Sequence, residues 1–219
     1  MQKFAIACLI LVLFAGCIFL QPSTGQTSPS PKINPTPATG QAGSGITPPQ
    51  PASNSQISTP DTINAQTFES KIHEQINQKR AENGFSQIGF NPKLADIARL
   101  HSQDMAGRGY FAHETPDGHN FDYRYAQAGF TCQITIGTTI YEGAENLFQA
   151  WTFGKIYYTN GVETRRDYYS EDELARAVVD GWMNSPGHRK NILTPYWETE
   201  GMGVFIAQDG KVFVTENFC

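Results

Sequence analysis

Apolar residues recur every four positions at Phe68, Ile72 and Ile76, and the stripe runs on to Arg80. That period predicts a helix with one face turned to a core, stopped by Asn83-Gly84. Asn91-Pro92 starts a second helix, with Asn as cap and Pro in the first turn. Leu94, Ile97, Ala98, His101 and Met105 line one face of it, so His101 points inward, and Gly107 ends it. A short helix is predicted over 121–128, closed by Gly129. Ser170-Glu171-Asp172-Glu173 has the form of a capping box and opens a helix whose Leu174, Ala177, Val178 and Trp182 face inward. Ser185-Pro186-Gly187 breaks that helix and leaves His188 on a loop edge. The period then changes from about four to two. Residues 201–208 and 211–218 alternate as strands do, with Asp209-Gly210 as a two-residue hairpin signal between them. Between Trp151 and Tyr169, six aromatic residues flank Asn160-Gly161, which predicts another hairpin with aromatic arms. Helices beside a hairpin-containing sheet imply an α+β sandwich.

Composition divides the chain into three parts. Residues 1–20 have a basic start and an apolar run, the pattern of a signal segment. Ala15-Gly16-Cys17 is the form of a lipoprotein signal, with Cys17 acylated; an uncleaved anchor helix is the alternative. Residues 21–61 are rich in Pro, Ser, Thr, Gly and Gln, and nine of the thirteen prolines lie there. Such a segment buries too little surface to offset its ordering entropy and reads as a stalk. Residues 62–219 are long enough for one domain with a real core. The net charge of −5 and the lack of a basic run argue against a nucleic-acid partner. Export leaves Cys132 and Cys219 in an oxidising compartment, where two cysteines are expected to pair.

The candidate chemistry lies in three places. His113 follows Tyr110-Phe111-Ala112 and precedes a Pro-Asp-Gly turn, Glu145 stands in Glu142-Gly143-Ala144-Glu145-Asn146, and His188 follows the helix breaker. Two imidazoles and a carboxylate make a set that binds zinc with a position open for water, which could support hydrolysis. Glu142 is the candidate general base. Ser185 near His188 is a candidate nucleophile without a visible third member. The rival reading is a hydrogen-bonded polar cluster. Asn146 and Arg189 are expected to order the loops around the cleft. His73 is expected to be solvated on its helix, and His119 to lie on an exposed loop.

Six pieces in order resemble the CAP superfamily of cysteine-rich secretory, antigen 5 and pathogenesis-related 1 proteins, in its prokaryotic branch. They are His101-Ser102-Gln103-Asp104-Met105, Tyr110-Phe111-Ala112-His113, Pro116-Asp117-Gly118, Glu145-Asn146, residues 182–193 and Gly201-Met202-Gly203-Val204. The resemblance implies a three-layer α-β-α sandwich and a cavity of two histidines and two glutamates that can hold a divalent metal. His113, Glu145 and His188 match three of those positions, while Ser185 stands at the fourth. Glu216 lies where relatives often carry Gln and is expected to add a carboxylate near the site. The aromatic insertion makes the chain longer than most prokaryotic relatives and suits carbohydrate or lipid contact, or packing on the domain. The resulting expectation is an exported, membrane-anchored binding protein whose cleft takes a lipid, an envelope glycan or a divalent ion. A metal-dependent hydrolase and a structural envelope protein are the alternatives.

Overall fold

The computed structural model describes residues 63–219, so the expectations for the signal segment, for Cys17 and for the stalk lie outside the described residues. The first element, α1 (Ala65–Glu82), is capped by the Asn64 side chain, which accepts from the Thr67 amide. Phe68, Ile72, Ile76 and Arg80 are fully buried along its inner face, as their spacing predicts. After the short strand β1 (Gly89–Phe90) comes α2 (Pro92–Arg108), with Asn91 as its cap. It runs past Gly107 and ends where Gly109 takes a left-handed conformation, φ 72°. A mid-helix glycine costs only about 1 kcal/mol, whereas the left-handed cap needs one.

The elements that follow are α3 (Phe121–Gln127), β2 (Ile134–Ile136), β3 (Thr139–Tyr141), β4 (Ala144–Trp151), β5 (Phe153–Thr159), β6 (Val162–Tyr168), α4 (Glu171–Asn184), α5 (Pro186–Ile192), β7 (Thr199–Ile206) and β8 (Lys211–Phe218). The capping box at Ser170 and Glu173 is formed. Ala175, not Ala177, joins Leu174, Val178 and Trp182 in the core, so the buried stripe is offset from the expected one. The Ser-Pro-Gly breaker ends α4 but does not start a loop: Pro186 opens α5, and His188 is helical. Proline is compatible with the first helical position, because the amide it lacks would have no partner there.

The main sheet has the order β1-β7-β8-β4, with β1 parallel to β7 and the other pairs antiparallel. The β7–β8 connection is longer than the two residues expected. The Ala207 amide donates to the Lys211 carbonyl at 2.8 Å, and Gly210 takes φ 90° inside the turn. Alternation along the strands gives each face its own residues. Gly201 and Gly203 face α2 so closely that a Cβ on either would run into its backbone at Leu94–Ala95 and Ala98–Arg99. The opposite face carries Met202, Val204, Val212, Val214 and Phe218 and packs on Phe68, Ile72 and Ile76 of α1 and Leu174, Val178 and Trp182 of α4. The result is a three-layer α-β-α sandwich of α+β class, as expected. Buried Glu69 of α1 protects the outer edge of β7. It accepts the Val204 amide at 3.0 Å and pairs with Arg99 at 2.6 Å.

Cys132 and Cys219 form the expected disulfide, 87 residues apart. By the chain-entropy argument, closing such a loop contributes about 4–5 kcal/mol. The expected aromatic hairpin is β5–β6, a separate two-stranded sheet whose turn residues Asn160 and Gly161 both have positive φ. Arg166 lies over Phe153 at 4.4 Å and Arg165 over Tyr157 at 4.5 Å, while Tyr158 and Val162 stay exposed beside the turn. A pocket of about 400 Å³ under the hairpin is lined by Thr152, Arg166, Tyr168, Tyr169, Ile206 and Asp209.

Candidate functional site

The cluster of interest lies on the α2 side of the sheet. Glu145 is the second residue of β4, and its side chain is only 1% exposed. A carboxylate so deep needs partners, and it has two close ones. Arg124 of α3 donates to Glu145 Oε2 at 2.5 Å, and Nδ1 of His113 lies 2.9 Å from Oε1. Nε2 of His101 is 3.9 Å from Oε1 and 3.1 Å from the Ala112 carbonyl. His101 is thus the buried, hydrogen-bonded core residue that its helix position predicts. Burial lowers its pKa, and the Arg124 charge adds to that against the pull of Glu145.

Arg124 also holds the loop that carries His113, donating to the carbonyls of His113 and His119 at 3.2 Å each. No motif in the sequence marks this arginine. The available signal is a cation in a short helix of an acidic chain, downstream of a histidine loop that needs fixing. His119 stacks on Tyr123 with ring centroids 3.7 Å apart, which keeps it on the outer loop.

His113 keeps more than half of its side chain exposed. Its Nδ1 is committed to Glu145, which leaves Nε2 free to meet a ligand. His188 is half-buried on α5, near enough for the His113 charge to lower its pKa, with burial as the larger cause. Asn146 fixes that helix to β4. Its amide donates to the His188 carbonyl at 3.3 Å, and its oxygen accepts from Asn191 at 2.8 Å. Asn191 also donates to the Glu145 carbonyl at 3.2 Å. Arg189 points elsewhere, to Asn83 at the end of α1, 3.0 Å away. Ser185 sits at the α4–α5 junction, and its side chain makes no cap hydrogen bond. Glu142 is exposed and lines a groove with Asp122, Tyr125 and Cys132.

Among the described residues no three His, Cys, Asp or Glu side chains converge as a metal site would require. Both Glu145 oxygens face cationic or imidazole nitrogens. A three-ligand zinc site therefore does not fit these positions as they stand. On this same face Asn217, directly across from Glu145 in the β4–β8 register, is buried with both amide atoms unpartnered.

Two expectations change on the opposite face. His73 is not solvated, because its Nδ1 lies 2.6 Å from Glu200, a residue with no exposed surface. Glu216 does not join the cluster at Glu145. It pairs with Asn146 across the sheet register and so projects to the α1 side.

A family model described as CAP, the cysteine-rich secretory protein family, matches residues 73–218. The uncharacterized protein YkwD of Bacillus subtilis is 30% identical over 151 residues, 68% of this chain and 46% of that one. The uncharacterized membrane protein YlbC of the same organism is 26% identical over 152 residues, 69% of this chain and 34% of that one. The chain thus spans less than half the length of either curated relative. Among solved structures, an outer surface protein from Borrelia burgdorferi is similar with a TM-score of 0.51 and 14% identity, covering 71% of this chain and 94% of that one.

Proposed function

The chain belongs to the cysteine-rich secretory protein (CAP) family, and from that premise we propose that it is an exported, membrane-anchored protein that acts by binding in the cleft at His113, Glu145 and His188. The observation that carries the binding reading is the state of Glu145. Both of its oxygens are engaged, one by Arg124 and one by His113. A carboxylate held in this way is a fixed counter-charge, not a base free to take a proton from substrate. Its effect is to orient His113 and present that imidazole at the surface, with the largely neutral imidazole of His188 nearby. Two imidazoles at one cleft suit the hydroxyl or headgroup oxygens of an envelope lipid or glycan. Export is supported by the Cys132–Cys219 disulfide, since such bonds persist outside the cytoplasm. The basic and apolar start, Ala15-Gly16-Cys17, and a relative named as a membrane protein support the anchor.

The test titrates fluorescent envelope lipid and soluble wall-glycan fragments against the detergent-solubilised full chain, as wild type, His113→Ala and His188→Ala. Wild type is expected to bind one of the two ligands, and each variant to lose about tenfold in affinity, about 1.4 kcal/mol, with the fold intact. Equal binding by all three proteins removes the cleft from the reading. Turnover of either ligand by wild type and not by the variants replaces binding with hydrolysis.

A further inference from the structure

Glu200 on β7 and Glu216 on β8 lie on one face of the sheet, diagonal neighbours across the strand pair, because Met202 is the residue opposite Glu216. Neither has any exposed surface. Each carboxyl has one oxygen that is hydrogen-bonded and one that is not. Glu200 Oε1 takes His73 Nδ1 at 2.6 Å, and Glu216 Oε2 accepts from Asn146 Nδ2 at 2.8 Å. Glu200 Oε2 and Glu216 Oε1 are buried without a partner. Two carboxyls set diagonally on one buried face, each with an unpartnered oxygen, are disfavoured as two neighbouring charges, and one hydrogen shared between them would satisfy both.

We propose that Glu200 and Glu216 form a buried proton-binding site, in which the pair shares a single proton that the folded protein retains through neutral pH. With one proton the pair carries one negative charge. Buried Arg80 of α1 supplies one positive charge to the same region; its Nη1 donates to the Ile192 and Thr194 carbonyls, the latter at 2.9 Å. Burial lowers the pKa of His73 against the pull of Glu216 and of Glu74 on the same helix, and the Asn77 amide 3.3 Å from its Nε2 leaves Nδ1 to donate from a neutral ring. From β4 only the Asn146 amide meets the pair. The buried side chains that α4 and α5 send into this core are apolar: Leu174, Val178, Val179, Trp182 and Ile192. The charge balance is neutral with the proton and one negative charge without it. Burial, the like charge of Glu200 and the hydrogen bond to it push Glu216 well above the usual carboxylate range; burial likewise raises Glu200.

The sign follows from linkage. The folded-state pKa is raised, so between the ordinary carboxylate pKa and the raised one the folded chain binds one proton more than the unfolded chain. In that window the folded-to-unfolded ratio falls about tenfold per pH unit as pH rises, and below the ordinary carboxylate pKa the effect is constant.

The experiment measures urea unfolding of the full chain in steps from about pH 5.5 to about pH 8.5. Wild type is compared with Glu216→Gln, and infrared spectra of both are taken at neutral pH. Wild type is expected to show the tenfold loss per unit and the carbonyl band of a protonated carboxyl. Glu216→Gln is expected to lose the band and that part of the slope. The same slope in both proteins overturns the proposal. So does the absence of a protonated-carboxyl band from wild type, a result that stands even if the variant fails to fold. A stability that drops on dialysis against chelator, with no such band, would show a metal ion in place of the proton and overturns it equally.

Discussion

Glu145 and Glu216 are separated by one step of strand register and by the thickness of a sheet. Glu145 pairs with Asn217, and the next pair along is Asn146 with Glu216. Both carboxyls are buried, yet they are stabilised in opposite ways. On the α2 side a guanidinium and an imidazole compensate the charge of Glu145. On the α1 side Glu216 meets only the Asn146 amide and a second buried carboxyl, that of Glu200, so a proton takes the place of the cation. Depth alone therefore does not determine how a carboxyl is held. The side chains brought against it do: a helix and a loop supply them to Glu145, and a neighbouring strand supplies the second carboxyl to Glu216.

The strongest way to break this contrast is to make the first site resemble the second. Arg124→Ala removes the cation from a side chain that stays buried. Breaking a buried pair in this way costs about 3–5 kcal/mol. Urea unfolding at neutral pH should show that loss.

Asn146 bonds both Glu216 and the helix that carries His188, so Asn146→Ala tests whether the two sites are linked. It strands Glu216 Oε2, leaves the Asn191 amide with the Glu145 carbonyl as its remaining acceptor and frees the His188 carbonyl. A loss of about 1–3 kcal/mol is expected from buried groups left without partners. Amide hydrogen exchange should speed up in α5 and leave α2 unchanged; equal acceleration in both helices would mean that Asn146 supports the whole fold. The smallest effect is expected from His73→Ala. It removes the second partner of Glu200, but His73 is only half-buried and water can take its place, so about 1 kcal/mol is expected in the same unfolding assay.

Much of the frame was legible because it rests on short-range patterns. The four-residue stripe of α1, the Asn91-Pro92 start of α2, the capping box at Ser170 and the turns at Asn160-Gly161 and Asp209-Gly210 each state a local preference that the fold keeps. The misreadings have physical causes. Ser-Pro-Gly before His188 looks like a breaker, but proline is equally suited to a helix start, and only packing against β4 decides between them. His73 lies toward the polar side of its helix, and nothing local shows that β7 brings Glu200 to meet it. The likeness to the CAP family drew attention to His113, Glu145 and His188. Arg124 is not legible in the sequence because its role is to hold two other residues, and neither composition nor period records such a role. Glu216 stands out as a carboxylate where relatives often carry an amide, but its expected place near the site fails, since strand parity depends on a register that the sequence does not mark.

The Cys132–Cys219 bridge also decides which part of the domain bears a mechanical load. It closes a ring that contains β2 to β8, α4 and α5. A pull between Ile63 and Cys219 runs along the chain to Cys132 and then crosses the sulfur bridge. Only about 70 residues can be drawn out, roughly 230–250 Å of contour at about 3.3–3.6 Å each, and the ring carries no tension. His113 and Arg124 lie on the stretchable side, while Glu145, His188, Glu200 and Glu216 lie within the ring. Traction on the amino end of the domain would therefore draw the clamp off Glu145 while the strand that bears it stayed slack.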